Sequence, residues 1–566
     1  MFSDRVTGAF CASSLIVTLF ISVSYGETPD GLRRLIEARI GSLHVLQVPA
    51  ADADMPQPDD PRYRITPQKK RLGKLLFFDP VRSNNVRPEF GGVRALAQSI
   101  SCGTCHIGAA ASKAGTQQAF GMGGQGRGAI DPETGRFVAR RVPYADLVDV
   151  LPTPIDVFDG AGQLAMSGRF DGLDGPARSA PSVIGFATNL RMFWSGPAGE
   201  PYDPADPGKV NINPDDLPAG ESTVMFTFMA HRMIGTQRFA LQDIPAYVEL
   251  YRRAFPTAAA AADASGNPDD LINDDTTARA IAAFLRTVIT RDTPYDRFLA
   301  GSDTSLSAGQ LRGAELFFSA PEDGGANCVA CHSGPALNKT LGDEAGRLIE
   351  ENFRNVGIGD HPMMDLARTT LGDSNVADIG RAEATGDAAD NFRFKSPTLR
   401  QARDAGPYMH SGELETLRDL VEYFNNGAAS SELAAAAGNV DDLFTHPRGP
   451  GQIGLGLSDD DLTALVDFLE NGLYDPAFVV YDAGSPTETF DLNAADLTYD
   501  RVLKRLGAVD GKVPSLLPHP QTDAMSVQDI AAEPTPSGTC GLLDTLSLFG
   551  MVAPLTLVSV RRRRRP

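Results

Sequence analysis

Five residues, Cys102-Gly103-Thr104-Cys105-His106, recur as Cys328-Val329-Ala330-Cys331-His332. No other feature constrains the chain as strongly. In each copy two thiols lie one helical turn apart, within reach of the two vinyl groups of one porphyrin. The adjacent imidazole then falls beneath the ring, where it can bind iron. The spacing predicts two covalently attached haems c, held by Cys102 and Cys105 with His106 on one iron, and by Cys328 and Cys331 with His332 on the other. A single zinc site joining the four thiols, or disulfides, is the alternative. It leaves both histidines unexplained and requires four free thiols in an exported chain.

The motifs are 226 residues apart, room for a helical domain around each. Arg71–Pro80 and Ser307–Phe318 read as helices ending in paired phenylalanines, each just ahead of a motif. Their phenylalanines are expected in the core. Asp459–Asn471 places Leu462, Leu465, Val466 and Leu469 on one face, a helix that would close the second domain. The runs Asp269-Asp270 and Asp459-Asp460-Asp461 suit helix N-termini or solvated loops. The expected fold is mainly α: two cytochrome c-like haem domains facing each other, with long loops and an anchor-like C-terminal tail. The divisions are a signal peptide at 1–26, an N-terminal haem domain at 27–290, a C-terminal haem domain at 291–480, a linker at 481–540 and a hydrophobic tail at 541–566. The linker is expected to carry one helix, Ala494–Leu506.

A net charge of -21 argues against nucleic-acid binding, which needs a basic face. Val6–Val23 is apolar behind Arg5, and Ser24-Tyr25-Gly26 offers small residues for cleavage, so export is expected. The tail runs from Leu542 to Val560 and ends in Arg561–Arg565. About 20 apolar residues just span a bilayer, with the arginines on the cytoplasmic side. Asp544 and Pro554 weaken that span. The exported body, in the periplasm or cell envelope, is acidic and suited to a basic protein partner.

The order of several further segments resembles the bacterial di-haem cytochrome c peroxidases and the related MauG-type oxidases, over roughly residues 65–480. These are Arg178–Val183 leading to Phe193–Gly196, Ala280–Thr287 with Pro294–Gly301, Asn327–Pro335, Phe353–Gly357, Phe394–Arg400 and Pro407–Gly412. The resemblance implies reduction of hydrogen peroxide to water. Electrons would come from a small periplasmic donor, a c-type cytochrome or cupredoxin. It implies that peroxide reacts at the N-terminal haem and electrons enter at the C-terminal one. Two other readings stay open: a MauG-type oxidase acting on a protein or small molecule, and a dihaem electron-transfer protein without turnover.

The resemblance also assigns residues. Trp194, the only tryptophan, would stand between the haems and relay electrons; packing at a domain interface is its alternative. Where the family carries a removable distal histidine, this chain has Phe120–Gly124, with Met122 as a candidate ligand. The family's distal glutamate aligns with Val224, which cannot shuttle protons. Glu221 and His231, the latter in an expected helix Met225–Gln237, are the candidate acid–bases. Counting on from His410 to the family's other distal ligand lands on Phe424, so adjacent Tyr423 is the candidate there and Met409 its alternative. Lys395, Arg400 and His410 would hold haem propionates; ordinary surface charge is their alternative. The family's Ca²⁺ between the domains would meet Ser179 in place of an Asn and Ala405 in place of a Thr near Pro407. Only backbone carbonyls are left to bind it.

Overall fold

The computed structural model describes residues 28–79, 102–106, 111, 113, 129–130, 137–138, 178–203, 205, 209, 212–230, 241–242, 244–338, 349–359, 378–428 and 438–478. The expected signal peptide, Met122, His231, the linker helix and the Arg-rich tail lie outside them. Among the described residues no helix is long and apolar enough to cross a membrane.

The expectation of a mainly helical chain holds. The principal helices are α1 (Pro29–Ile40), α2 (Pro67–Phe78), α3 (Ala219–Ala230), α4 (Pro245–Ala254), α5 (Pro256–Ser265), α6 (Asp274–Leu285), α7 (Pro294–Leu299), α8 (Ala308–Phe318), α9 (Leu417–Asn425) and α10 (Asp459–Asp467). Strands are two residues long. Ala129–Ile130 (β1) pairs with Phe137–Val138 (β2), and Phe353–Arg354 (β3) with Phe394–Lys395 (β4), both antiparallel.

Local chemistry fixes where the helices start. Thr66 accepts from Lys69 N ahead of Pro67, which needs no amide partner in the first turn. Ser307 and Gln310 cap α8 reciprocally, as Asn273 and Thr276 cap α6 and Thr293 and Asp296 cap α7. The three aspartates at 459–461 fill the first turn of α10 behind Ser458, the placement expected for them. Helix α3 starts at Ala219, six residues before the expected Met225. Pro218 precedes it, and Gly220 within its first turn masks the periodicity.

Two hydrophobic cores result, each built on a crossing of two helices. In the first, α2 lies on α6. Gly73 approaches so closely that a Cβ there would stand 1.8 Å from the Ala280 carbonyl oxygen. In the second, α8 lies on α10, and a Cβ at Gly313 would stand 2.1 Å from the Ala464 carbonyl oxygen. Only a residue without a side chain permits such contact. One turn on, Phe77 meets Phe284 with ring centroids 5.5 Å apart, and Phe317 meets Phe468 at 5.7 Å. All four are buried. A third cluster, including Met55, Ala111, Ile184, Ile289 and Ala336, is separate from both.

The expected boundary at residue 290 needs one adjustment. Helix α1 buries Leu32 and Ile36 in the second core, and Arg33 donates to the carbonyls of Phe298 and Ser302. The chain thus contributes to the second core before it builds the first.

Candidate haem sites and the seam between them

The first motif forms a helical turn, Cys102–Cys105, ending where His106 N donates to Cys102 O at 3.0 Å. Cys102 packs on the first core, and the His106 ring lies 6.1 Å from that of Phe77. The second motif forms a tighter turn, Cys328–Ala330, entered through Asn327 in the left-handed region at φ 52°. His332 N donates to Cys328 O at 2.9 Å, and His332 Nδ1 lies 3.0 Å from the Leu337 carbonyl. A ring that donates from Nδ1 presents Nε2 as a lone pair, the arrangement usual for a metal-bound histidine. Burial draws the pKa of His332 down, which favours the neutral ring that can bind iron.

The thiols fit attachment to a porphyrin better than the alternatives. Cys102, Cys328 and Cys331 are not disulfide-bonded. Cys102 packs against one core and Cys328 against the other, so one zinc ion would have to bridge separate cores. Burial, with Cys331 beside it, pushes the Cys328 thiol up to about 12, and burial raises Cys331 as well. Neither carries the ready thiolate of a redox pair.

Trp194 is buried, and its Nε1 donates to Ser179 O at 2.7 Å. Ser179 N donates in turn to His410 O at 2.9 Å, and Lys395 N donates to Trp194 O at 2.8 Å. The His410 ring stacks on Phe394 at 3.4 Å and meets the indole edge-on at 6.4 Å. Trp194 and His410, both candidates from the sequence, are therefore brought together with β4.

Beside them lies a buried polar network that the sequence reading missed. Arg178 donates through Nε to Asp378 at 2.6 Å, through Nη1 to Ser195 Oγ at 2.8 Å and through Nη2 to Glu383 Oε1 at 2.9 Å. A second contact from Nη2 also reaches Asp378. Burial would raise the Asp378 carboxyl, but Arg178 holds it down to about 2. Burial and the Asp378 charge push Glu383 up to about 7 despite Arg178. Arg381 lies nearby, donating to the Ser195 and Gly196 carbonyls at 3.2 Å each and pairing with Glu350 and Glu200. Two arginines thus hold the Trp194–Gly196 corner. The partners are separated by up to 205 residues, and no local pattern announces them.

The other candidates divide. Glu221 is buried in a fork-to-fork pair, with Arg286 donating to Oε1 at 2.8 Å and Oε2 at 2.5 Å. Both carboxylate oxygens are engaged, an arrangement suited to holding α3 on α6. Tyr423, on α9, donates its hydroxyl to Val356 O at 2.6 Å. Surface charge, the alternative for Lys395, Arg400 and His410, is corrected by their positions. Arg400 is 1% exposed and His410 3%. Arg400 donates to Asp296 at 2.8 and 2.9 Å, to Thr290 and to Pro335 O, which engages four of its five N–H groups among the described residues. Lys395 Nζ donates to Asn189 at 3.0 Å, and burial draws its pKa down to about 8. Near the position expected for Ca²⁺, the carbonyls of Ala405 and Pro407 accept from the buried Lys113 side chain.

Comparison with known proteins agrees with these motifs. The family model "Di-haem cytochrome c peroxidase" matches residues 67–304, from α2 through the first motif to just beyond α7. Cytochrome c551 peroxidase of Pseudomonas aeruginosa is 27% identical over 370 residues, 65% of this chain and 75% of that protein. Methylamine utilization protein MauG of Methylorubrum extorquens is 25% identical over 363 residues, 64% of this chain and 70% of that protein. Among solved structures, a MauG-like protein associated with microbial copper homeostasis is 20% identical with a TM-score of 0.43, over 76% of this chain and 95% of that one. Residues 67–304 thus match the di-haem cytochrome c peroxidase family, and the relatives that span about two thirds of the chain are named as a cytochrome c peroxidase and MauG, oxidoreductases of a family with two c-type haems.

Proposed function

We propose that this chain reduces hydrogen peroxide to water, taking two electrons and two protons per peroxide, with the electrons delivered by a small exported redox protein. The observation that carries this reading is the pair of thiol–imidazole turns, each set on its own glycine-packed helix crossing. When bound, one haem supplies an iron where the O–O bond breaks, and the other supplies a store for an electron.

The residues supply the rest. His106 and His332 are the proximal ligands, and Leu337 O orients the second imidazole. Cys102, Cys105, Cys328 and Cys331 hold the porphyrins. Trp194 serves as the relay: its indole is fixed by Ser179 O, and a buried aromatic ring is oxidisable without entry of water. Arg178 and Arg381 keep its backbone from shifting. Glu383 can hold a proton near neutral pH, and Glu221 and His231 remain proton carriers to test beside it. Lys395, His410 and Arg400 are the proposed propionate contacts. Met122 and Tyr423 are the proposed distal ligands, Tyr423 at the expense of its bond to Val356. Export by residues 1–26, tethering by 541–566, and the division of chemistry between an N-terminal peroxide-reacting haem and a C-terminal electron-accepting haem belong to the same reading. The acidic body would dock a basic donor.

Steady-state peroxide turnover with a reduced c-type cytochrome, recorded with the spectra of both haems, tests it. Peroxide-dependent oxidation of the donor is the expected result. A protein that cycles its haems but leaves the donor reduced would sink it. If peroxide instead drives oxidation of an added protein or small molecule, the MauG-type reading replaces it. The Tyr423 side chain favours that second reading, because a phenolate ligand would lower the iron's potential relative to a thioether.

A further inference from the structure

Lys113 is buried in an unusual setting, where burial draws its pKa down to about 7 and the ammonium form persists below that pH. It is 6% exposed, yet no carboxylate pairs with it among the described residues. Its Nζ donates to the Ala405 carbonyl at 2.7 Å and to the Pro407 carbonyl at 2.6 Å. The Tyr408 ring lies 6.0 Å away, at the edge of cation–π range. Taking an ammonium out of water without a counter-ion is costly, so a lysine so placed needs a structural reason. Two converging carbonyl oxygens are what a hard cation seeks, and they hold an ammonium here.

The remaining donors do not make a Ca²⁺ site. Calcium takes about 6–8 oxygens, usually with carboxylates among them. Among the described residues no group of three or more His, Cys, Asp or Glu side chains is placed to hold a metal ion. Ser179 offers a neutral hydroxyl and Ala405 only its carbonyl. That carbonyl and the one at Pro407 already face a positive charge, which would repel a second.

We infer that the Lys113 ammonium is the resident cation between the first haem-motif segment and the 405–410 loop, and that it makes the chain independent of calcium there.

The position explains what the cation would do. Lys113 follows His106 by seven residues, and its carbonyl partners lie 292 and 294 residues away in sequence. On its other side, Ala111 O accepts from Ser182 Oγ at 2.6 Å. The loop it grips leads into His410, whose carbonyl accepts from Ser179 N, and Ser179 O accepts from Trp194 Nε1. One ammonium therefore ties the segment after the first motif to the loop that positions Trp194. A tethered cation cannot dissociate, whereas a bound metal leaves when chelated. This inference stands whether or not the chain turns over peroxide.

The test uses the holoprotein, with calcium chloride and EGTA as probes. Wild type is expected to show no calcium-binding heat. Its melting midpoint and both haem spectra should be unchanged by either reagent. Lys113→Met should melt several degrees lower, with calcium restoring nothing, because the apolar stem still fills the space. Lys113→Ser removes the stem as well and should melt lower still. One calcium bound per wild-type chain, with EGTA lowering the midpoint, would overturn the inference. So would Lys113→Met protein that melts like wild type with unaltered haem spectra. If neither variant folds, the wild-type calcium and EGTA measurements alone decide the inference: no bound calcium and an unmoved midpoint support it, and one bound calcium overturns it.

Discussion

The two helix crossings solve one packing problem identically, and the two motifs beside them are set differently. Gly73 on Ala280 with Phe77 on Phe284 is repeated as Gly313 on Ala464 with Phe317 on Phe468. Each core also has one buried fork pair, Arg286–Glu221 in the first and Arg400–Asp296 in the second. The motif turns diverge. His332 is oriented by Leu337 O, on a tight turn entered through left-handed Asn327. His106 leaves an α-helical turn and faces the Phe77 ring. The comparison teaches that the helix crossing is a generic platform on which the two motifs take different turns. A carbonyl that accepts from the imidazole raises the ring's basicity and so stabilises the higher charge on a bound metal.

Four measurements can break or sharpen that comparison. The largest effect should come from removing the thiols. Cys102→Ala with Cys105→Ala, and Cys328→Ala with Cys331→Ala, should each abolish about half of the pyridine haemochrome absorbance, since each pair anchors one porphyrin. Loss of both haems from either double variant would mean that the two cores do not load independently. Next come the fork pairs. Arg286→Met and Arg400→Met each strand a buried carboxylate, at about 3–5 kcal/mol. Chemical denaturation should report similar losses for the two; a small loss for one would end the equivalence. Gly73→Ala and Gly313→Ala should each cost about 1–3 kcal/mol by forcing the helices apart. The smallest effect concerns the seam. Glu383 titrates near 7 folded against an ordinary 4.5, so the native state binds the extra proton between those values. Stability should then fall as pH rises from about 4.5 to about 7, and Glu383→Gln should flatten that slope. An unchanged slope would show that Glu383 is not the group responsible.

Sequence reasoning reached the parts of this molecule that are written locally. Paired phenylalanines at a helix end, aspartates at a helix start, an apolar face, and a C-x-x-C-H run are each contained within about three helical turns, where side-chain spacing carries the signal. That sufficed for α2, α8, α10 and both motifs. It failed where partners are distant. Nothing near Glu221 in sequence reveals its partner Arg286, 65 residues on. Arg178, Asp378 and Glu383 share no segment. Lys113 reads as one more charged residue until the 405–407 carbonyls are brought to it. Buried ion pairs depend on geometry between elements, which no periodicity encodes.

The docking of α1 has a consequence for how the chain is made. Leu32 and Ile36 lie in the core that α8 and α10 build, and Arg39 donates to Asn327 beside the second motif. During synthesis the first described helix emerges long before those partners exist. Its apolar face must wait, exposed or guarded by a chaperone, until nearly 440 more residues have followed. The order of translation is therefore not the order of assembly, and a chain released early would keep a greasy, unfinished leading end.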